Sequence, residues 1–311
     1  HNPWLRSKKT SQFNHNTGIK YRWRLAPILV LAVIIIGSGG VAARQDLLAR
    51  LKAKEAPVAR ESVVTSALES QLERGEDLTT LGDLQKQDAA LQTAVNQVIN
   101  AFPSDQQWSV YVQDLNSTRS VSINANQSYD AGSLYKLFLP APLEKKVPVD
   151  KWDYWWITES NIKYCIDSIF SEADDDNCAK AIGNLAKWDF IDHFNQNAGY
   201  NQTKLIESEP KTTARDVGTL LATMKRGKML SDLARRAMFD ALYIPKTSQA
   251  IAAGCQDCRT ANKIAQTDRI THDAGIVTHG QHSYVIVVMS QGGSLKQISR
   301  ITKAVDKELA P

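Results

Sequence analysis

The ten residues YDAGSLYKLF, 129–138, lead from a polar, extended stretch into an apolar run and set a serine and a lysine three positions apart. If the apolar run opens a helix, Ser133 and Lys136 share one face of it, because residues i and i+3 are neighbours on a helical surface. A serine at a helix start lies beside unpaired backbone N–H groups, which favour negative charge and can stabilise an oxyanion. A lysine desolvated in an apolar pocket has its neutral form favoured, and a neutral amine accepts a hydroxyl proton. The same pair also suits a plainer reading, a capping serine followed by a surface lysine. The flanking sequence therefore carries the weight.

Upstream, WSVYVQDLNSTRSVSINAN (108–126) alternates apolar and polar residues on both sides of Leu115-Asn116-Ser117-Thr118, which reads as a β-hairpin. Before it, AALQTAVNQVINAF (89–102) has apolar residues at helical spacing and stops at Pro103. Downstream, a helical middle extends from Ser133 to about Leu242. It is followed by RITHDAGIVTH (269–279) and SYVIVVMSQ (283–291), two strands separated by a turn, and by the amphipathic helix SLKQISRITKAVDKEL (294–309). Strands at both ends of the segment with helices between predict an α/β (α+β) domain. One antiparallel sheet is flanked by helices, and an all-helical lobe is inserted in the middle.

The remainder of the chain reads differently. The uncharged run LAPILVLAVIIIGSGGVAA (25–43) is long enough to cross a bilayer as a helix. Arg6, Lys8, Lys9, Lys20, Arg22 and Arg24 precede it with no acid among them, so residues 1–24 read as a cytoplasmic basic tail and 25–43 as a transmembrane helix. The small residues Val41-Ala42-Ala43 leave a cleaved signal peptide as the alternative. Residues 44–88 are highly charged and helix-forming, a stalk without a sustained heptad, and 89–311 form the folded domain. The overall charge is +4, and without the six basic residues of the tail the remainder is near −2, so bulk charge gives no support for a nucleic-acid-binding surface.

The cysteines agree with an extracytoplasmic address. Cys165 and Cys178 bracket an apolar stretch and an acidic run, and Cys255 and Cys258 form a Cys-Gln-Asp-Cys pair, so two disulfides are expected in an oxidising compartment. A zinc site built with His272, His279 and His282 is the competing reading; alternation and a polar turn explain those histidines without metal.

The landmarks AGSLYKL, DDNCAKAIG, TTARDVGTLLATMKRGKMLS and HDAGIVTHGQHSYVIVVMS, in that order from about Ala89 to Pro311, resemble the class A β-lactamase and penicillin-binding protein superfamily of serine hydrolases. The resemblance implies that Ser133 is the nucleophile and Lys136 its general base. The family's second motif, Ser-Asp-Asn, is matched to Asp175-Asp176-Asn177, with Asn177 catalytic and Asp175 in the place of the serine that passes a proton to the departing nitrogen; Ser171 is the neighbouring hydroxyl available to replace it. The third motif, Lys-Thr-Gly, is matched by letters at Lys246-Thr247-Ser248. The family's spacing to Thr212 and His272 instead selects Lys263, with Ile264 and Ala265 for the threonine and glycine. The oxyanion hole implied is the backbone N–H of Ser133 and Gln266. The Glu-x-x-Leu-Asn pattern that supplies a deacylating base is missing, with Glu207 and Glu209 the nearest carboxylates.

The resulting expectation is a membrane-anchored, extracytoplasmic, monomeric serine hydrolase. It forms an acyl-enzyme with a β-lactam or a D-Ala-D-Ala-type peptidoglycan stem peptide and uses no metal or organic cofactor. The alternative is a catalytically degenerate domain of the same fold that binds cell-wall peptide or an envelope partner.

Overall fold

The structure, a computed structural model, describes residues 78–206, 209–243 and 249–310. The tail, the 25–43 run and most of the proposed stalk lie outside the described residues, as do Glu207 and Lys246-Thr247-Ser248. Among the described residues, no helix is long and apolar enough to cross a membrane.

Helix α1 (Leu78–Asn100) leads into the hairpin β1 (Gln107–Asp114) and β2 (Ser120–Ile123), then a short strand β3 (Ser128–Asp130). α1 begins inside the stretch assigned to the stalk, so the first helix of the domain continues back into it. The helical middle holds a 3-10 helix (Gly132–Phe138), α2 (Pro140–Lys146), a 3-10 turn (Val149–Lys151), α3 (Ile162–Phe170), α4 (Asp176–Ala186) and α5 (Trp188–Asn197). A short strand β4 (Lys211–Thr213) precedes α6 (Ala214–Lys225) and α7 (Asp232–Tyr243). The chain closes with α8 (Ala250–Gly254), β5 (Arg259–Gln266), β6 (Ile270–His279), β7 (His282–Gln291) and α9 (Leu295–Leu309).

The five long strands form an antiparallel sheet in the order β2-β1-β7-β6-β5, so strands from the two ends of the domain meet at the β1–β7 pair, as the alternation predicted. Strand period two gives the sheet two apolar faces. Val110, Val112, Ile286 and Val288 face α1, α8 and α9, whereas Tyr111, Val285, Val287 and Met289 face the helical lobe. β3 and β4 pair separately, Tyr129 opposite Thr212.

Local sequence sets the helix starts. Asn161, Thr213 and Ser294 cap α3, α6 and α9, each side-chain oxygen accepting a backbone N–H of the first turn. Pro140 is tolerated at the first position of α2, where its missing N–H has no partner to lose. The helix expected before it is a 3-10 helix, whose three residues per turn bring Ser133 and Lys136 directly above one another.

Candidate active site

Two elements press together to make the site. Gly132, at φ +47°, turns the chain into the 3-10 helix so close to β5 that a Cβ there would stand 3.0 Å from both Ala265 Cβ and Ile270 Cδ1. Any other residue meets both the left-handed backbone and that contact. Ser133 therefore begins the helix against β5, the strand that carries Lys263.

Lys136 is fully buried, and a buried ammonium needs partners for its donors. Its Nζ donates to the Asp174 carbonyl oxygen at 2.7 Å and to Asp174 Oδ1 at 2.7 Å, and pairs with Asp176 Oδ1 at 2.8 Å. Lys263, 2% exposed, donates to the same Asp174 Oδ1 at 2.5 Å. The other carboxylate oxygen, Oδ2, accepts the Ser133 hydroxyl at 2.5 Å. Ser133 and Lys136 from the 3-10 helix and Lys263 from β5 thus converge on one carboxylate. Asp174 reaches them from a left-handed backbone, φ +46°, a conformation that aspartate tolerates better than most residues.

The charges follow from these contacts. Burial raises the Asp174 carboxyl, but the Lys263 charge and the hydrogen bonds from Lys136, Lys263 and Ser133 outweigh it and hold the group below the usual carboxylate value. Burial lowers Lys263, and Asp174 opposes that shift.

Of the site residues that the resemblance implies, the structure brings Ser133, Lys136 and Lys263 together. It displaces the second motif by one residue. Asp174, not Asp175, stands beside the serine and both lysines. The Asp175 carboxylate instead caps α4, accepting the backbone N–H groups of Asn177 at 2.8 Å and Cys178 at 3.1 Å. Asp176 fills the third place of the motif at Lys136, and Asn177 lies exposed on the outer side of α4, lining a surface cavity with Trp155 and Trp156. The physical reason is the helix start: a capping side chain must turn toward the first-turn N–H groups, which points its predecessor into the cleft. Ser171 closes α3, its hydroxyl donating to the Ser168 carbonyl. The hydroxyl of Ser133 is likewise turned to Asp174, whereas the sequence reading gave its proton to Lys136.

On β5, Ala265 shares the face of Lys263 and is buried against the 3-10 helix, while Ile264 faces the opposite apolar cluster and Gln266 ends the strand, opposite Thr271. Glu209 is drawn into an ion-pair group beside the site. It pairs with Arg269 at 2.8 Å and Lys211 at 3.7 Å, and both cations also pair with Asp130.

The histidines are spread along the β6–β7 hairpin, and among the described residues no cluster of three or more His, Cys, Asp or Glu side chains can hold a metal ion. His272 accepts the Ser290 N–H at Nδ1 and donates from Nε2 to the Asp130 carbonyl. His279 meets Asp306, and His282 meets Asp114. Both expected disulfides, Cys165–Cys178 and Cys255–Cys258, are present.

The profile described as "Beta-lactamase enzyme family" matches residues 90–152 and 171–309, more than half of the chain. No curated protein matches it in sequence. Among solved structures, PBP-A aligns with a TM-score of 0.63 at 17% identity, over 70% of this chain and 94% of its own. A PBP-A mutant, solved as an acyl-enzyme complex with penicillin-G, aligns at 0.62 and 18% identity over 70% of this chain and 95% of its own. A class A β-lactamase from Clostridium kluyveri aligns at 0.63 and 15% identity, over 71% and 98%. At these identities the structural likeness speaks for the fold.

Proposed function

Because the chain belongs to the beta-lactamase enzyme family, we propose that it is a serine hydrolase in which Ser133 attacks an acyl carbon and is itself acylated. The observation that carries this reading is the convergence of Ser133, Lys136 and Lys263 on the Asp174 carboxylate, with the serine at the start of a helix. A serine adjacent to a proton acceptor and two fixed cations is an activated nucleophile beside charges that favour a developing oxyanion. The backbone N–H groups of Ser133 and Gln266 are the proposed oxyanion donors, which survive the change of side chain at Ile264 and Ala265.

The proposed substrate is a β-lactam or a D-Ala-D-Ala-type amide of a peptidoglycan stem peptide, in line with the penicillin acyl-enzyme formed by a PBP-A mutant of the same fold. Glu209 is tied to Arg269, and a Glu-x-x-Leu-Asn base is missing, so the acyl-enzyme is proposed to be long-lived. The run 25–43 and the basic residues before it support a single-pass anchor with the domain outside the membrane.

A second reading has its own observation. Asp174 occupies the space between both lysines and the serine, as a plug in a domain that binds without turnover would. Intact mass of the full chain after incubation with a fluorescent penicillin tests both, with Ser133→Ala as control. A stable adduct lost in the variant is the expected result; an unmodified protein with no ring-opened product favours the binding domain.

A further inference from the structure

We propose that the Asp174 carboxylate, and not the Lys136 amine, takes the Ser133 proton and carries it to the leaving nitrogen, an inference that rests on the acyl-transfer reading above. The two carboxylate oxygens are divided in function. Oδ1 is held by both lysines, which fixes the plane of the group; Oδ2 accepts the serine hydroxyl at 2.5 Å, within the reach required of a general base.

Lys136 is badly placed for the same task. Its three ammonium donors are spent on the Asp174 carbonyl, the Asp174 carboxylate and the Asp176 carboxylate, so no lone pair faces Ser133. Exposure separates the groups further. The Lys136 and Lys263 side chains are 0% and 3% exposed, and the Asp174 side chain is 36% exposed, so the carboxylate is the member of the cluster that a substrate meets beside the serine. The left-handed backbone of Asp174 belongs to the same device, since sparsely populated conformations persist where the surroundings hold a functional side chain in place.

The step balances without a further reactant. As Ser133 Oγ forms its bond to the acyl carbon, its O–H bond breaks and the proton passes to Asp174 Oδ2, while the carbonyl electron pair moves onto oxygen. When the C–N bond breaks, its electron pair goes to nitrogen, which takes the proton from Oδ2. The products are the Ser133 ester, a neutral amine and the restored carboxylate. One carboxylate thereby does what a base and a separate hydroxyl shuttle do in the family's three-motif arrangement.

The test is the labelling rate of the full chain by a fluorescent penicillin, read across pH, for the natural protein and for Asp174→Asn, Asp174→Ser and Asp174→Ala. Asparagine keeps the volume and the acceptor oxygen but not the basicity, so labelling is expected to fall about 10²-fold or more and to lose its acid limb. Formate added to Asp174→Ala is expected to restore part of the rate, which a merely structural role would not allow. Labelling of Asp174→Asn as fast as the natural protein overturns the inference and leaves Ser133 as nucleophile. Labelling confined to Asp174→Ser overturns it too and marks Asp174 as a plug. If none of the proteins is labelled, the acyl-transfer reading fails and this inference fails with it.

Discussion

Gly275 on β6 lies directly across from Asn262 on β5, so close that a Cβ on Gly275 would stand 2.5 Å from Asn262 Cβ and 2.7 Å from the Ala261 carbonyl oxygen. The neighbouring residue on β5 is Lys263, whose ammonium must reach Asp174. The glycine in HDAGIVTH is therefore what lets β5 lie flat enough on β6 for the site to close. Gly275→Ala is expected to destabilise the domain by about 1–3 kcal/mol through overpacking. It should also slow acylation of the protein that remains folded. Denaturant midpoints and labelling rates on one preparation check both, and an unchanged midpoint would show that the strands yield freely.

Lys263→Met keeps the apolar stem and removes one of the two cations on Asp174. Burial raises the Asp174 carboxyl and the Lys263 charge is the largest effect lowering it, so its loss moves the group upward. The acid limb of acylation should shift to higher pH. The plateau rate should fall by up to about 10²-fold, because the carboxylate loses part of its orientation. A pH profile identical to that of the natural protein would place Lys263 outside the working cluster.

The contrast between what was legible in the sequence and what was not has a physical origin. The β1–β2 hairpin was readable because its strands alternate apolar and polar residues around a polar turn, and the β6–β7 hairpin because strands buried on both faces carry near-continuous apolar runs. Lys263 was legible only through the separations to Thr212 and His272 that the family resemblance implies. β3 and β4 escaped, since three residues such as Lys211–Thr213 are too few to show a period. The acidic triplet escaped for another reason. Asp174, Asp175 and Asp176 are chemically identical, and only the position of the α4 cap decides which faces the serine, which caps and which meets Lys136. The signal available was the capping rule; matching the letter Asn177 to the family's asparagine hid it.

His272 provides a stability switch independent of acylation. Burial lowers its pKa below 6.5, opposed by its backbone hydrogen bonds and the nearby Asp130 charge, so the folded protein holds it neutral. The unfolded chain binds the proton more readily, hence the stabilising difference is whole above about pH 6.5 and is lost as pH falls from there toward the folded pKa. The loss should approach about 1.4 kcal/mol per pH unit. Unfolding free energies at several pH values, for the natural protein and His272→Gln, check it. If the two fall in parallel below pH 6.5, the histidine is not the source.

The Cys165–Cys178 disulfide ties α3 to the first turn of α4, two residues after Asp176. It closes a segment with a sequence separation of 13, for which loop-closure entropy gives about 3 kcal/mol. Cys255–Cys258 spans a separation of 3, so it restrains little of the unfolded chain. Replacing Cys165 and Cys178 together by alanine is expected to cost about 3 kcal/mol in denaturant unfolding and to slow acylation, because the segment that presents Asp174 is then held by hydrogen bonds and ion pairs without a covalent cross-link to α3. The equivalent double change at Cys255 and Cys258 should leave acylation within about twofold, since those cysteines pack against the apolar cluster on the sheet face away from the helical lobe. Equal losses from both pairs would show that the first bridge acts on global stability and not on the placement of Asp174.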